Sequence, residues 1–253
     1  MLTRQELAQE LGPRLKALRL PTVRECFEDE AKRAESDSWS YEAYLFELVR
    51  LECENRRQNR IARWVKESRL PLEKTLATFN KTRLPHRIQM QLGVLLDGSF
   101  LDRRENILAF GNPGSGKTHL LCAIGHELIQ QGHRVLFCPC NLLVQDLLIA
   151  KRDLKLSRFL KRLSKYDALI IDDLGYVQQS RVEMEVLFTL LAERYERGSV
   201  MLTSNLPFSK WEQIFKDPMT TAAAIDRLVH HSLILEMNVD SYRLDEAKRR
   251  KET

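Results

Sequence analysis

No window of the 253-residue chain approaches the roughly 20 consecutive apolar residues that span a bilayer, and Met1 to Leu20 lacks the pattern of a secretory signal. A membrane-embedded or exported protein is therefore not expected, and a cytoplasmic location is. Cysteines are few and badly placed for structural chemistry. Cys26, Cys53, Cys122, Cys138 and Cys140 are odd in number and contain no C-x-x-C pair, which excludes a disulfide framework and a cysteine zinc site. His119, His126 and the pair His230-His231 have no acidic or cysteine neighbour at ligand spacing, so they read as ordinary core or surface histidines. There is no internal repeat and no low-complexity tract.

Glycine is also scarce, yet three of the ten fall within six residues of one another. Gly111-Asn112-Pro113-Gly114-Ser115-Gly116-Lys117-Thr118 is a complete G-x-x-x-x-G-K-[ST] phosphate loop. It follows the apolar run Ile107 to Phe110 and precedes the helix-like stretch Leu120 to Ile129, the strand–loop–helix context that the motif requires. Backbone N–H groups must close around phosphate oxygens, and a Cβ at Gly114 or Gly116 would obstruct that wrap. Lys117 is placed to reach the β and γ oxygens and the Thr118 hydroxyl to ligate Mg²⁺, with the helix N-terminus adding positive potential. The eight motif residues and His119, which follows them, are the expected nucleotide contacts.

Ala168-Leu-Ile-Ile-Asp172-Asp173 is an apolar strand that ends in two carboxylates, the pattern of a Walker B motif. In a parallel sheet the carboxyl end of such a strand lies beside the phosphate loop. Asp172 is then the expected Mg²⁺ ligand with Thr118, and Asp173 the group that orients the attacking water. Between the two motifs lie one further strand, Arg134 to Cys138, and about 28 residues of helical pattern. That insertion separates ATPases and motors from nucleotide kinases and GTPases. No N-K-x-D guanine signature follows Asp173, and Asn80-Lys81 continues as Thr82-Arg83 upstream of the loop, so ATP rather than GTP is expected. After the amphipathic stretch Val182 to Tyr195, the strand Val200 to Thr203 ends in Ser204-Asn205; an amide there can bond the attacking water or the γ-phosphate, as a sensor 1 residue does. Arg227, in Ile225-Asp226-Arg227-Leu228, is a candidate arginine finger for a neighbouring subunit. Arg243, in Ser241-Tyr242-Arg243, is a second cation candidate for the nucleotide. A last strand is expected over Ser232 to Glu236.

The segments FGNPGSGKTHL, ALIIDDLG, TSN, IDRL and SYR together resemble the IstB group of AAA+ ATPases, the helper proteins of insertion-sequence transposition, which are related to DnaC helicase loaders and DnaA initiators. The N-terminal LRLPTVRECFEDEAKRA is similar to the same group, so the resemblance covers most of the chain. It implies an α/β AAA+ core with a five-stranded parallel sheet behind a small all-helical N-terminal domain. It also implies ATP-dependent oligomers on double-stranded DNA and a transposase encoded by the same element as partner. The resemblance assigns Lys117 and Thr118 to Walker A, Asp172 and Asp173 to Walker B, Asn205 to sensor 1 and Arg227 to the finger. Only 17 residues follow Glu236, too few for a full C-terminal helical lid.

The expected division is a helical interaction domain over 1–70 and an ATPase domain over 71–253. Helical periodicity recurs over Arg4 to Leu18, Thr22 to Ala34 and Tyr41 to Ser68, and Leu70 to Pro85 reads as a connector. The net charge of +5 is concentrated in two clusters. One runs through Arg50, Arg56, Arg57, Arg60, Arg63, Lys66 and Arg69. The other comprises Lys151, Arg152, Lys155, Arg158, Lys161, Arg162 and Lys165, in which positions 151, 155, 158 and 162 recur at helical spacing and predict one cationic face for DNA. No helix-turn-helix signature accompanies them, so contacts should be to the DNA backbone and nearly independent of sequence. The leading reading is a DNA-assembled ATPase that helps a transposase. A helicase loader, an ATP-liganded DNA-coating adaptor without significant turnover, and a small-molecule kinase are the rivals.

Overall fold

In the computed structural model, which describes residues 3–175, 180–212, 218–239 and 241, the chain divides into two compact units, Met1–Arg63 and Trp64–Thr253. The first contains helices α1 (Arg4–Ala17) and α2 (Pro21–Ser36) and most of α3 (Tyr41–Ser68). α1 opens with a capping box: Glu6 N donates to Thr3 Oγ1 at 3.3 Å and Thr3 N donates to Glu6 Oε2 at 2.7 Å. α2 begins on Pro21, whose fixed φ suits a first helical turn, but Leu20 at its N-cap has no oxygen to offer. Glu52 of α3 supplies it, accepting from Thr22 N at 2.8 Å and Val23 N at 3.2 Å. Asn55 Nδ2 to Thr22 Oγ1 (2.7 Å) and Tyr44 hydroxyl to the Phe27 carbonyl (2.9 Å) complete the pairing of α2 with α3.

The second unit carries α4 (His86–Leu96) and α5 (Ser99–Asp102), then β1 (Asn106–Phe110), α6 (Lys117–Gln130), β2 (Val135–Pro139), α7 (Cys140–Arg152) and α8 (Leu156–Leu163). It continues with β3 (Ala168–Leu174), α9 (Arg181–Arg194), β4 (Ser199–Ser204), α10 (Pro218–Val229) and β5 (Ser232–Glu236). All five strands are parallel, in the order β2-β3-β4-β1-β5. Every residue of β1 and β4 is buried, which is why these strands read as unbroken apolar runs rather than alternating ones. Because β4 lies between β1 and β3, the phosphate loop and the Asp172 strand are one strand apart; the strand that lies between the two motifs in sequence, β2, is instead at the sheet edge beyond β3.

Two buried polar side chains tie the amino ends of the strands together. Asn106 accepts from Val200 N (2.8 Å) and donates to the Leu228 carbonyl (3.0 Å), joining β1, β4 and α10. Arg194, only 3% exposed, donates to the carbonyls of Leu163 (3.3 Å), Tyr166 (2.7 Å), Asp167 (2.9 Å) and Ser199 (2.8 Å). Burial lowers its pKa to about 10, which still leaves it charged at neutral pH.

The helical insert differs from the sequence expectation. α7 stops at Arg152 and α8 starts at Leu156, so Lys151 and Lys155, Arg158 and Arg162 do not share one continuous helical face. Leu154 adopts φ 56° between them. Its N–H bonds the Lys151 carbonyl (3.1 Å) and the Lys155 N–H bonds the Ala150 carbonyl (2.7 Å), which is a Schellman ending with leucine where glycine is usual. The periodicity hides the break because neither glycine nor proline marks it. The stretch Leu70 to Pro85 also differs, since part of it packs on α6 as described next.

Candidate nucleotide-binding site

The carboxyl ends of β1, β3 and β4 open into a cleft of about 790 Å³, within the size range of small-molecule sites. Lys117, Thr118, Asp172, Asp173 and Asn205 all line it, as do Pro113 to Gly116 and His119. The structure thus brings together most of the residues singled out in the sequence. Arg227 is elsewhere, and Arg243 lies outside the described residues.

Gly114 has φ +83°, and a Cβ there would collide with the Ser241 side chain. Gly116 has φ +92° and room for a methyl group against Phe79 (3.4 Å), so its requirement is conformational. The Lys117 ammonium donates to the carbonyls of Gly111 (2.8 Å) and Asn112 (2.9 Å), folded back along the loop that a phosphate would share with it. Thr118 Oγ1 donates to Asp172 Oδ1 at 2.8 Å. That is roughly the separation of neighbouring ligands around one Mg²⁺ with bonds of about 2.1 Å, and both atoms are hard oxygen donors. These two residues fit a magnesium ion.

Thr203 was not singled out from sequence. Its hydroxyl donates to the same Asp172 Oδ1 at 2.7 Å and accepts from Asp173 N at 2.8 Å. The need for it arises in β3, where the ladder with β4 slips between Ile171 and Leu174 and Asp173 takes φ 63°. A bulge at this point frees one backbone N–H and turns Asp173 out of the sheet, so Asp172 is 8% exposed while its neighbour faces solvent. At the end of β4, Ser204 Oγ donates to the Leu174 carbonyl (2.9 Å) and accepts from Leu206 N (3.1 Å), fixing the turn that presents Asn205.

The opposite wall comes from the presumed connector. Lys74, Thr78, Phe79, Asn80, Arg83 and Leu84 line the cleft. His119 Nε2 lies 3.1 Å from the Thr75 carbonyl and 3.2 Å from Thr78 Oγ1, and its ring meets Phe79 edge-on at 5.0 Å. Burial lowers the His119 pKa, so the ring is neutral at physiological pH. His126 Nε2, two turns along α6, lies 3.1 Å from the Pro71 carbonyl. His119 therefore fastens the wall of the site. Beneath the cleft Cys122 is wholly buried, and desolvation pushes its thiol pKa up to about 12, so it is inert.

Arg227 sits at the amino ends of the strands, in a hollow it lines with Arg104, Asn106, Val200 and His231. Its guanidinium stacks on Phe188 at 4.7 Å and donates to the Ala223 carbonyl at 3.4 Å. His230 and His231, without an acidic neighbour in sequence, approach Glu196 in space. Arg104, Arg194 and Arg227 line the adjoining hollow, and three guanidinium groups make it a poor place for a cation. In the insert, Lys151 pairs with Glu185 (3.1 Å), Arg152 with Asp153 (3.1 Å), and Arg162 stacks on Phe159 at 4.7 Å. Lys155, Arg158 and Lys161 are exposed and form no ion pair among the described residues. In the N-terminal cluster, Arg50 and Arg56 are held by Glu47 (2.6 Å) and Glu52 (2.7 Å).

Comparison with known proteins extends this picture. Residues 13–251 match the family described as IstB-like ATP binding protein. A Sinorhizobium fredii protein named as an insertion sequence ATP-binding protein is 44% identical over 234 residues, covering 92% of this chain and 78% of its own. The ATP-binding protein named for insertion sequence IS5376 of Geobacillus stearothermophilus is 38% identical, over 93% of this chain and 94% of its own. Among solved structures, AMPPCP-bound DnaA from Aquifex aeolicus aligns with a TM-score of 0.56 at 21% identity, over 73% of this chain and 57% of that one. DnaI aligns at 0.55 and 21%, over 66% and 94%. These two share the fold, an AAA+ core.

Proposed function

Because the chain belongs to the IstB-like ATP-binding protein family, we propose that it is a Mg²⁺-dependent ATPase that oligomerises on double-stranded DNA and recruits or activates the transposase of the same insertion sequence. The observation that carries the ATPase reading is the meeting of two hydroxyls, those of Thr118 and Thr203, on one oxygen of Asp172 beside Lys117. Lys117 leaves the Gly111 and Asn112 carbonyls to hold the β and γ oxygens of ATP. Thr118 and Asp172 hold Mg²⁺, which when bound neutralises charge on the phosphates. Asp173, turned out of the sheet, accepts a hydrogen bond from the attacking water, and Asn205 orients the same water from the neighbouring strand tip. The wall from Lys74 to Leu84 encloses the remainder of the nucleotide.

DNA binding rests on Lys155, Arg158 and Lys161, exposed cations of the insert that form no ion pair among the described residues, joined by Lys151, Arg152 and Arg162. Each subunit contributes a few phosphate contacts, so affinity grows with assembly. The transposase partner is supported by the insertion-sequence names of the relatives.

The test measures phosphate release and particle size for wild type and Lys117→Ala with ATP, ADP or no nucleotide, with and without duplex DNA. ATP-dependent assemblies on DNA and turnover abolished by Lys117→Ala are expected, followed by capture of the element's transposase on those assemblies. Assemblies with no release above background would leave an ATP-liganded adaptor instead. A monomer in every condition would overturn the helper reading.

A further inference from the structure

Seven described non-glycine residues have positive φ: Arg19, Ser38, Arg69, Arg104, Leu154, Asp173 and Glu196. Six are polar. Leu154 is the one apolar side chain among them, and it is 95% exposed at the apex of the turn between α7 and α8. The fold gains nothing from it there. Glycine would satisfy the left-handed Schellman position with less strain, and the leucine side chain buries almost no area against its own chain. A residue that costs the fold and is not buried by it has its explanation outside the fold.

The surroundings say what covers it. Lys155 and Arg158 follow the apex without acidic partners among the described residues, Lys151 and Arg152 precede it, and the opposing charges are Asp153, paired with Arg152, and Glu185, paired with Lys151. The apex is anchored, since Ala150 and Leu163 are buried and Leu156, Phe159 and Leu160 pack against the core, so the side chain is held outward on a firm base. An apolar tip flanked by cations fits a polyanion whose interior is apolar, and duplex DNA is that polyanion: phosphates outside, stacked bases within.

We propose that Leu154 is a wedge that enters between stacked bases while the flanking cations hold the phosphates on either side. The inference rests on the DNA-binding reading above and adds to it a contact with the bases. Unstacking a base step is offset by burial of the leucine, so the wedge changes the local state of the DNA more than the affinity. It also predicts a preference for easily unstacked pyrimidine–purine steps without any hydrogen-bond readout.

The test uses the full-length protein, ATP and Mg²⁺, and a duplex with 2-aminopurine distributed along one strand, whose fluorescence rises when its stacking is lost. Anisotropy of an end label reports binding separately. Wild type should bind and raise the 2-aminopurine signal several-fold. Leu154→Ala and Leu154→Gly should bind within about tenfold of wild type, with unchanged salt dependence, and lose the rise. Leu154→Gly guards against a folding failure, because glycine favours the native φ. An undiminished rise in both variants, or none in DNA-bound wild type, overturns the wedge and leaves backbone binding standing. Absence of wild-type binding in anisotropy overturns the DNA reading itself, and the wedge with it.

Discussion

The Thr203 hydroxyl makes two bonds at once, to the carboxylate of Asp172 and from the backbone N–H of Asp173. Valine has nearly the same shape and neither bond. Thr203→Val therefore leaves the phosphate loop intact but removes one of the two hydroxyls that hold Asp172 Oδ1 and the oxygen that accepts from Asp173 N. Outer partners of metal-binding carboxylates are typically worth about 10–100-fold in metal affinity or activity. We expect phosphate release to fall by that factor and the Mg²⁺ requirement to rise, while nucleotide affinity without Mg²⁺ is unchanged; Thr203→Ser should restore most of the loss. A Mg²⁺ titration of turnover checks this, and an unaltered Mg²⁺ dependence would remove Thr203 from the site.

At the scale of elements, α2 owes its start to a residue on another helix. Glu52 is 3% exposed; burial pushes its pKa up, but the Arg56 guanidinium and the N–H groups of Val23 and Thr22 outweigh burial and hold it below the usual carboxylate value. With the folded pKa depressed, the unfolded chain binds the proton first as pH falls. The stabilisation is thus complete well above the unfolded pKa of about 4.3 and is lost as acid titrates through the lower folded value. Glu52→Gln should cost about 1.5–3 kcal/mol at neutral pH, the range for a hydrogen bond to a charged group. The gap to wild type should narrow below about pH 4.3 and close only once the pH is below the folded value, measured as melting temperatures from about pH 7 down to about pH 2; a gap that persists at the acid end would mean that packing, not charge, is what the substitution removes. This cap also marks the limit of what the sequence discloses. The phosphate loop, the Asp172 strand and the five parallel strands were legible because their signals are local: glycines at fixed spacing, and apolar runs that end in polar tips. Glu52 acts across 30 residues and Thr203 across 31, and neither leaves a periodic trace. The break at Leu154 was hidden because leucine fits a helical pattern, although the backbone there is left-handed. The wall from Lys74 to Leu84 reads as a connector in the sequence because the histidines that hold it, His119 and His126, lie about two helical turns apart on a later element.

The whole molecule sets the role open to Arg227. It lies at the amino ends of the strands, whereas the phosphate loop begins where β1 finishes, five residues on. At about 3.3 Å per residue the separation is about 16 Å, longer than an arginine side chain. Arg227 therefore does not reach the nucleotide of its own chain, and we propose that it completes a neighbour's site, where a finger contributes about 10³–10⁵ in rate. Arg227→Ala should keep the monomer's nucleotide affinity and lose turnover by about 10³ or more. Phe188 would lose the guanidinium stacked on it, so retained nucleotide affinity doubles as the check that the variant folds. The decisive experiment mixes two inactive proteins, Arg227→Ala and Lys117→Ala. If the site is shared, some interfaces in the mixture pair an intact phosphate loop from the first with an intact finger from the second, and phosphate release returns. If Arg227 acts within its own subunit, or only supports the fold, every combination stays inactive, and the assembly is not joined through its nucleotide.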